Sequence, residues 1–441
     1  MHLSGWGRYP VLNARILAPR SIEALRHMMQ SESTLIARGN GRAYGDSAIN
    51  PAATLETRHL NRMLAFDPGS GQLIAEPGVL IGDVIAAFLP RGWFPLVTPG
   101  TKFVTLGGAI AADVHGKNHH KDGSFRASVD WIDVMDTAGE ITRCSLQENF
   151  MLFEHTLGGM GLTGIITRAA IRLRPVETAW IRQTKHPAPN LKAAMDVSEA
   201  HQDAGYSVAW IDCLAGGADL GRSLVMLGEH AKVDDLPAGQ RQAPFETPMK
   251  TKRAVPFHFP RFALNRLTAR AFNAFYYRAG SQKSGERLVD WDTYFYPLDA
   301  ILQWNRIYGR KGFAQFQCVL PLEASEDGLA ALLKATSKAD AGSFLAVLKR
   351  FGAQNSAFSF PMEGYTLALD FPVNPRTLAL LAELDRITLD HGGRFYLAKD
   401  ARMSAETFAA SDSRIEAFRA QRKDNSWQAR FVSAQSKRLA L

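Results

Sequence analysis

The sequence predicts an α+β protein of two domains, and three observations lead there. At 441 residues the chain exceeds one ordinary domain and suits two, each with its own core. Its first half alternates short strand-like and helix-like pieces. After about Pro175 the pattern shifts to longer alternating runs, "SVAWIDCL", "GFAQFQCVLPL" and "GYTLALDFPV", with two helix-like pieces near Leu329 to Lys334 and at "PRTLALLAELDRITLDHGG". That mixture suits one main sheet with helices against it.

The elements of the first half follow in order. "SIEALRHMMQ" reads as a helix: Ser21 caps it, Glu23 sits in the positive first turn, and Ile22, Leu25, Met28 and Met29 form an apolar face. "TLIAR" reads as a buried strand stopped by "GNGRAYGDS", followed by a strand at "GQLIAEP" and a helix at "IGDVIAAFLPRG". The glycine-rich "TPGTKFVTLGGAIAADVHG" is expected to hold a short helix from Ala109 to Asp113, entered through Gly107 and Gly108. "DWIDVMDTAGEITRC" reads as two strands turning at Ala138-Gly139, and "LGGMGLTGIITRAAIRLRP" ends as a strand.

Composition narrows the function classes. Apolar content of 46% and charged content of 21% are ordinary for a globular chain. No apolar run approaches the roughly 18 residues of a membrane span. The start, "MHLSGWGRYPVLNARI", lacks the pattern of a secretory leader, so the sequence reads as cytoplasmic. Cys144, Cys213 and Cys318 lie far apart and form no CxxC, which argues against a disulfide scaffold or a zinc ribbon. The net charge of +8 favours anionic partners: nucleic acid, phospholipid or phosphorylated substrate.

Three glycine loops carry the chemistry. In "IARGNGRAYGD", Gly39, Gly41 and Gly45 let the backbone turn tightly and present N–H groups to an anion. The spacing is not GxGxxG, no acidic residue ends a strand about 20 residues on, and no GK[ST] follows, so Rossmann and Walker readings fail. A plain turn explains that loop equally well when it is taken alone. Gly107 and Gly108 at a helix start suit a phosphate. "GGMGLTG" is a third loop, suited to an adenosine end, and the three in order could grip one extended pyrophosphate. Between them, "HGKNHH" raises a metal reading, since His115 and His119 are four apart. Gly116 interrupts that helix and no carboxylate partner accompanies the pair, so no metal is expected. His120 and Lys121 read as a solvated loop.

The chain resembles the FAD-binding oxidoreductases of the vanillyl-alcohol-oxidase type through "RGNGRAYGD", "TPGTKFVTLGGAIAADVHGKNHH", "GGMGLTGIIT" and "FYLAKDAR". Within them it is similar nearly end to end to the decaprenylphosphoryl-ribose oxidases, flavin subunits of the epimerase that makes the arabinose donor of mycobacterial cell walls. The "SGWGR", "WNRIYG", "AQFQ" and "HGKNHH" elements carry that narrower likeness. The resemblance implies a two-domain fold. Residues 1–178 and 394–441 would form the FAD domain, with a substrate domain of 179–393, built on an antiparallel sheet, inserted between them. FAD is expected to be non-covalent, because Arg42 and Ala43 stand where covalent members have a histidine and a serine.

The residues this assigns to FAD are Arg38, Gly39, Asn40, Gly41, Arg42, Ala43, Tyr44, Gly45 and Asp46 in the first loop. Gly100, Thr105, Leu106, Gly107, Gly108, Ala112, Asp113 and His115 follow, then Ile165 and Tyr396. The activity implied is oxidation of the 2-hydroxyl of a polyprenylphosphoryl pentose to the 2-keto sugar, the cofactor taking the hydride. Lys399 matches the family's active-site lysine, either as a base with a lowered pKa or as a cation beside the flavin; a lysine just past a strand otherwise reads as surface. Tyr44 and His115 are expected to flank the ring and assist proton transfer. Gln315 and Gln317 share a strand face and match the glutamines of the sugar pocket, with Lys117 and Lys349 as contacts to polyol or phosphate. Ala368, Thr366 and Phe295 stand in the expected pocket where mycobacterial members have cysteine, asparagine and tyrosine, so the exact sugar stays open.

Expected partners are a quinone or other electron acceptor and a separate NAD(P)H-dependent short-chain reductase completing epimerisation. The span Arg241 to Arg287 combines Arg241, Lys250, Lys252, Arg253, Arg261, Arg266, Arg270, Arg278, Lys283 and Arg287 with Phe257, Phe259, Phe262, Phe272, Phe275, Tyr276 and Tyr277. It suits peripheral contact at the inner membrane surface, or a loop whose charge aids solubility. The runner-up activity is a soluble alditol or aldonolactone oxidase using oxygen. A non-catalytic nucleic-acid or membrane-binding protein is the alternative of another class, and nucleic acid is disfavoured because no recognition motif occurs.

Overall fold

A computed structural model of the protein describes residues 1–248, 250–260, 266–339, 343 and 345–441. Near the N-terminus, Ile16–Leu17, Thr54–Glu56 and Ile36–Arg38 form a three-stranded parallel sheet in that order. The helix Ile22–Gln30 starts where the Ser21 hydroxyl accepts from the Ala24 N–H at 3.1 Å. Its Leu25 and Met29 pack into a core with Leu55, Ile165, Trp427 and Phe431. The chain's end therefore closes its beginning: Phe431 bridges Leu35, and the fully buried Arg422 donates to Phe431 O at 2.6 Å.

Beside it lies an antiparallel sheet in the order Ile141–Ser145, Val129–Met135, Ile165–Pro175, Gln72–Ala75, Met63–Asp67, with Trp93–Pro95 paired to the far end of Ile165–Pro175. The hairpin turn carries Gly139 at φ +89°, a conformation that favours glycine.

The large sheet has eight strands in the order Gly285–Asp290, Trp180–Ala188, Ser223–His230, Tyr206–Ile211, Ala346–Phe351, Gly364–Pro372, Phe313–Pro321, Arg394–Phe395, all antiparallel. Strand alternation divides three of these strands into two faces. Phe316, Cys318, Leu348, Leu367, Leu369 and Phe371 point into a core shared with Leu329, Leu332 and Leu333 of the helix Ser325–Lys338 and Leu380, Leu381 and Leu384 of the helix Pro375–Asp390. The opposite face is polar and forms the floor of the cavity described below.

Among the described residues, members of the basic, aromatic span go to separate contacts. Arg261 and Phe262 lie outside the described residues. Arg241 donates to Leu236 O and Asp234 O at 2.8 Å each, and Arg287 donates to Gln183 Oε1 at 2.8 Å. The helix Arg266–Ser281 is laid across the large sheet, with Asn273 donating to Asp212 at 2.7 Å and the Tyr276 ring 4.8 Å from Trp210. Among the described residues no helix is long and apolar enough to cross a membrane.

Candidate active site

A cavity of about 320 Å³ lies between the glycine loops and the polar face of the large sheet. Its floor is ordered by strand register: Gln315 faces Asp370, Gln317 faces Ala368, Val347 faces Ala368 and Lys349 faces Thr366, and all line the cavity. The Gln315 amide donates to the Asp370 carboxylate. The Gln317 amide donates to Thr366 Oγ1 at 3.1 Å and to His115 Nε2 at 3.0 Å. Thr366 donates onward to Cys318 O at 2.7 Å, which leaves its oxygen free to accept.

The roof is backbone. Gly39, Asn40, Gly41, Arg42, Ala43 and Tyr44 line it, and the loop is pinned from behind. Trp6 N–H donates to Ala43 O at 2.8 Å, Gly7 N–H to Tyr44 O at 3.0 Å, and Tyr44 N–H to Ala398 O at 2.8 Å. Among the described residues the N–H groups of Asn40, Gly41, Arg42 and Ala43 donate to no other protein group. Gly100, Thr105, Gly107, Gly108 and Ala112 continue the lining, with Gly161 and Gly164 of the third loop beyond them.

Lys399 enters from the turn after Arg394–Phe395, its ammonium 3.7 Å from the centre of the Tyr44 ring. Burial lowers its pKa, the Asp370 carboxylate resists that shift, and Lys349 adds to it. Burial raises the Asp370 carboxyl, opposed by the Gln315 hydrogen bond and by Lys399. Lys349 is pushed down to about 8 by burial, and the Tyr44 phenol is held well above its ordinary value by the same cause. His115 is buried among the rings of Phe351, Phe360 and Tyr396. Burial and the nearby cations hold it well below the usual imidazole range, so it is neutral, and accepting at Nε2 places its proton on Nδ1.

Several expected contacts fall elsewhere. Lys117 does not reach the cavity: its ammonium donates to Tyr294 O and lies 4.1 Å from the Tyr294 ring centre, pushed down to about 7 by burial. Arg38 supports the first loop from beneath, donating to Ser4 O at 2.8 Å. Gly45 is needed for close approach, since a Cβ there would stand 2.1 Å from Asp400 O. Asp46 pairs with Arg438 at 2.7 Å. Leu106 and Ile165 are core residues, and Asp113 is buried, accepting from Ser124 at 2.8 Å and Arg126 N–H at 2.9 Å. Phe295 packs in the N-terminal core against Phe94.

The helix expected from Ala109 runs Leu106–Ala111 instead, capped by Thr105. Its first amides are already used, Leu106 donating to Val79 O and Gly107 to Pro77 O at 2.8 Å each, and Gly108 to Thr105 Oγ1 at 3.3 Å. The amides left free to meet an anion are therefore those of the first loop. His119 donates to Gln354 at 3.0 Å, and His120, expected in a solvated loop, donates to Ala204 O at 2.7 Å. Sequence reasoning missed Trp6, Asp299, Trp304 and Asp370, all in the lining. For Asp370 the signal was present: it continues the two-residue alternation of Thr366 and Ala368.

Comparison with known proteins bears on this arrangement. A family model described as an FAD binding domain matches residues 14–145. The decaprenylphosphoryl-beta-D-ribose oxidase of Mycolicibacterium smegmatis is 36% identical over all of this chain and 97% of that protein. The chain belongs to the decaprenylphosphoryl-β-D-ribose oxidase family. A Streptomyces coelicolor protein described only as uncharacterized, from the mprA 5′ region, is 31% identical over 80% of this chain and 97% of its own length. Cytokinin dehydrogenase 5 of Arabidopsis thaliana is 39% identical over 24% of this chain. This family member is an FAD-dependent oxidoreductase.

The site fits that cofactor. Four half-buried residues that line the cavity present amides without protein partners, and a pyrophosphate satisfies such a row. In front of Gly100 there is open space, and at Gly161 a Cβ would meet only Ile36 Cδ1 at 3.6 Å, so the roof leaves room for a ligand against the backbone. The first loop offers no histidine or cysteine side chain for a covalent bond.

Proposed function

We propose that this chain oxidises the 2-hydroxyl of a polyprenylphosphoryl pentose, of the decaprenylphosphoryl-β-D-ribose kind, to the 2-keto sugar. The observation that carries the reading is the convergence of Gln315, Gln317, Lys349, Asp370 and Lys399 on the wall facing the amide-lined loop. The activity in the name of the Mycolicibacterium smegmatis relative supports the substrate class. Residues 1–178 with 394–441 serve the cofactor in this reading, and residues 179–393 serve the substrate.

Bound FAD, held without a covalent bond by the amides of Asn40 to Ala43, supplies the acceptor for the hydride leaving the carbinol carbon. Lys399 takes the hydroxyl proton, because its lowered pKa gives it a neutral fraction near neutral pH. Asp370 opposes that lowering and orients Gln315 toward the sugar. Tyr44 stays protonated and donates at the same place. Gln317 is fixed by His115 and Thr366, so its carbonyl faces the substrate. Lys349 meets the phosphate as a buried cation. Electrons then pass to a quinone or similar acceptor. The 2-keto product needs a hydride from elsewhere to become the epimer, which calls for a separate NAD(P)H-dependent short-chain reductase. Its lipid-linked substrate places the protein peripherally at an inner membrane surface.

The test is anaerobic mixing of the FAD-loaded protein with a prenylphosphoryl ribose, free ribose and an aldonolactone. Bleaching of the flavin band by the prenylphosphoryl sugar alone is expected. Bleaching by free polyol or lactone would move the assignment to a soluble sugar oxidase.

A further inference from the structure

Leu298 and Asp299 line the cavity, Ile301 and Leu302 stand outside it, and Trp304 returns to its wall. A few residues thus carry the chain from inside the cavity to the surface and back. Ile301–Leu302 pairs in parallel with Arg253–Ala254, and Val255 N–H donates to Leu302 O at 2.9 Å. The Arg306 guanidinium donates to Val255 O and Pro256 O at 3.0 Å each. These bonds fix the segment 253–259 beside the stretch 298–304 that lines the cavity, with Phe257 exposed on it.

The resulting platform is apolar and open. Phe257 is 62% exposed, Ile301 43% and Leu302 36%. It is also one-signed: residues 250–260 and 300–312 contain Lys250, Lys252, Arg253, Arg306, Arg310 and Lys311 and no Asp or Glu. Lys250 is taken up by Asp290 at 2.6 Å and Arg306 by the carbonyls above, while Lys252, Arg253, Arg310 and Lys311 are exposed. Exposed apolar side chains with exposed cations on the same two segments match an interface of buried acyl chains beneath anionic headgroups.

We propose that this platform docks on an anionic bilayer and that the cavity takes its substrate directly from it. The mouth then opens at headgroup depth, the sugar phosphate rises past Trp304 and Leu298 into the cavity, and the prenyl chain stays in the acyl layer. The inference rests on the lipid-linked substrate proposed above. The helix Arg266–Ser281, whose Phe275 is also exposed, packs on the strands Trp180–Ala188 and Ser223–His230 and is not part of this platform.

The test is co-sedimentation of the FAD-loaded protein with phosphatidylcholine vesicles, with and without phosphatidylglycerol. One variant combines Phe257→Ser, Ile301→Ser and Leu302→Ser; a second combines Arg253→Gln, Arg310→Gln and Lys311→Gln, so that a folding fault in the first does not decide the matter. The wild type is expected to sediment with the anionic vesicles and not the neutral ones, and both variants to lose binding at least about tenfold. Oxidation of a short-chain, water-soluble prenylphosphoryl ribose is expected to stay within about twofold of wild type, while that of a long-chain substrate in vesicles falls. Wild-type protein that ignores anionic vesicles, or variants that bind like wild type, would overturn the proposal. So would loss of long-chain activity in detergent without any vesicle binding, which would assign the platform to a protein partner. Should no prenylphosphoryl pentose bleach the flavin, vesicle binding lost in the variants would leave the surface standing and fault the substrate assignment alone.

Discussion

The two walls of the cavity recognise by different means. The roof uses backbone: Gly39, Gly41 and the free amides of residues 40–43, pinned by Trp6, Gly7 and Ala398. The floor uses side chains projecting from three neighbouring strands at two-residue spacing. A backbone wall tolerates many side chains but no added bulk where chains meet. A side-chain wall tolerates none of its polar exchanges while its fold survives. Substitutions on the two walls therefore fail differently.

The sharpest separation is expected from Gly45→Ala. Its Cβ would stand 2.1 Å from Asp400 O and 2.7 Å from Ala401 Cα, both backbone atoms that cannot swing aside. Overpacking of this kind costs about 1–3 kcal/mol and shifts the whole loop, so purified protein should lose most of its FAD, read as the flavin-to-protein absorbance ratio. On the floor, Asp370→Asn should keep its FAD and slow flavin reduction roughly 10–100-fold. Asp370 raises the pKa of Lys399, so removing its charge should move the ascending limb of the pH–rate profile to lower pH. In the wild type that limb should already lie below the 10.5 of an ordinary lysine.

A smaller effect distinguishes the two lysines once grouped together. Lys349→Met should raise KM for the prenylphosphoryl sugar about tenfold, because it removes a buried cation facing the substrate. Lys117→Met should change KM by less than about twofold, since its ammonium is held by Tyr294 behind the wall. Comparable KM changes in both would return Lys117 to the pocket.

What was legible in the sequence follows the same division. Glycine-rich loops advertise a backbone site, and their order along the chain located the roof. Which amides remain free was not legible, because Pro77 and Val79, some thirty residues upstream, occupy those of the helix start. Gln315 and Gln317 were legible through strand alternation, and the same alternation extended from Thr366 and Ala368 reaches Asp370. Lys117 was misplaced because the chain turns at Lys117 and Asn118 into the helix His119–Asp122, an event local spacing does not encode. Lys399 follows a strand and reads as a surface residue by pattern. Its burial comes from Tyr44 and Asp370, each distant in sequence, and only the family likeness singled it out.

The central claim is that FAD is held by one wall while Lys399 on the other removes the proton. The most direct measurement takes both readings from one Lys399→Ala preparation: its FAD content, and its anaerobic flavin reduction rate with prenylphosphoryl ribose against pH. The account predicts FAD content equal to wild type, reduction slowed by roughly 10²–10⁴, and no ascending limb from a depressed lysine. Reduction at the wild-type rate, with the same pH profile, would contradict it.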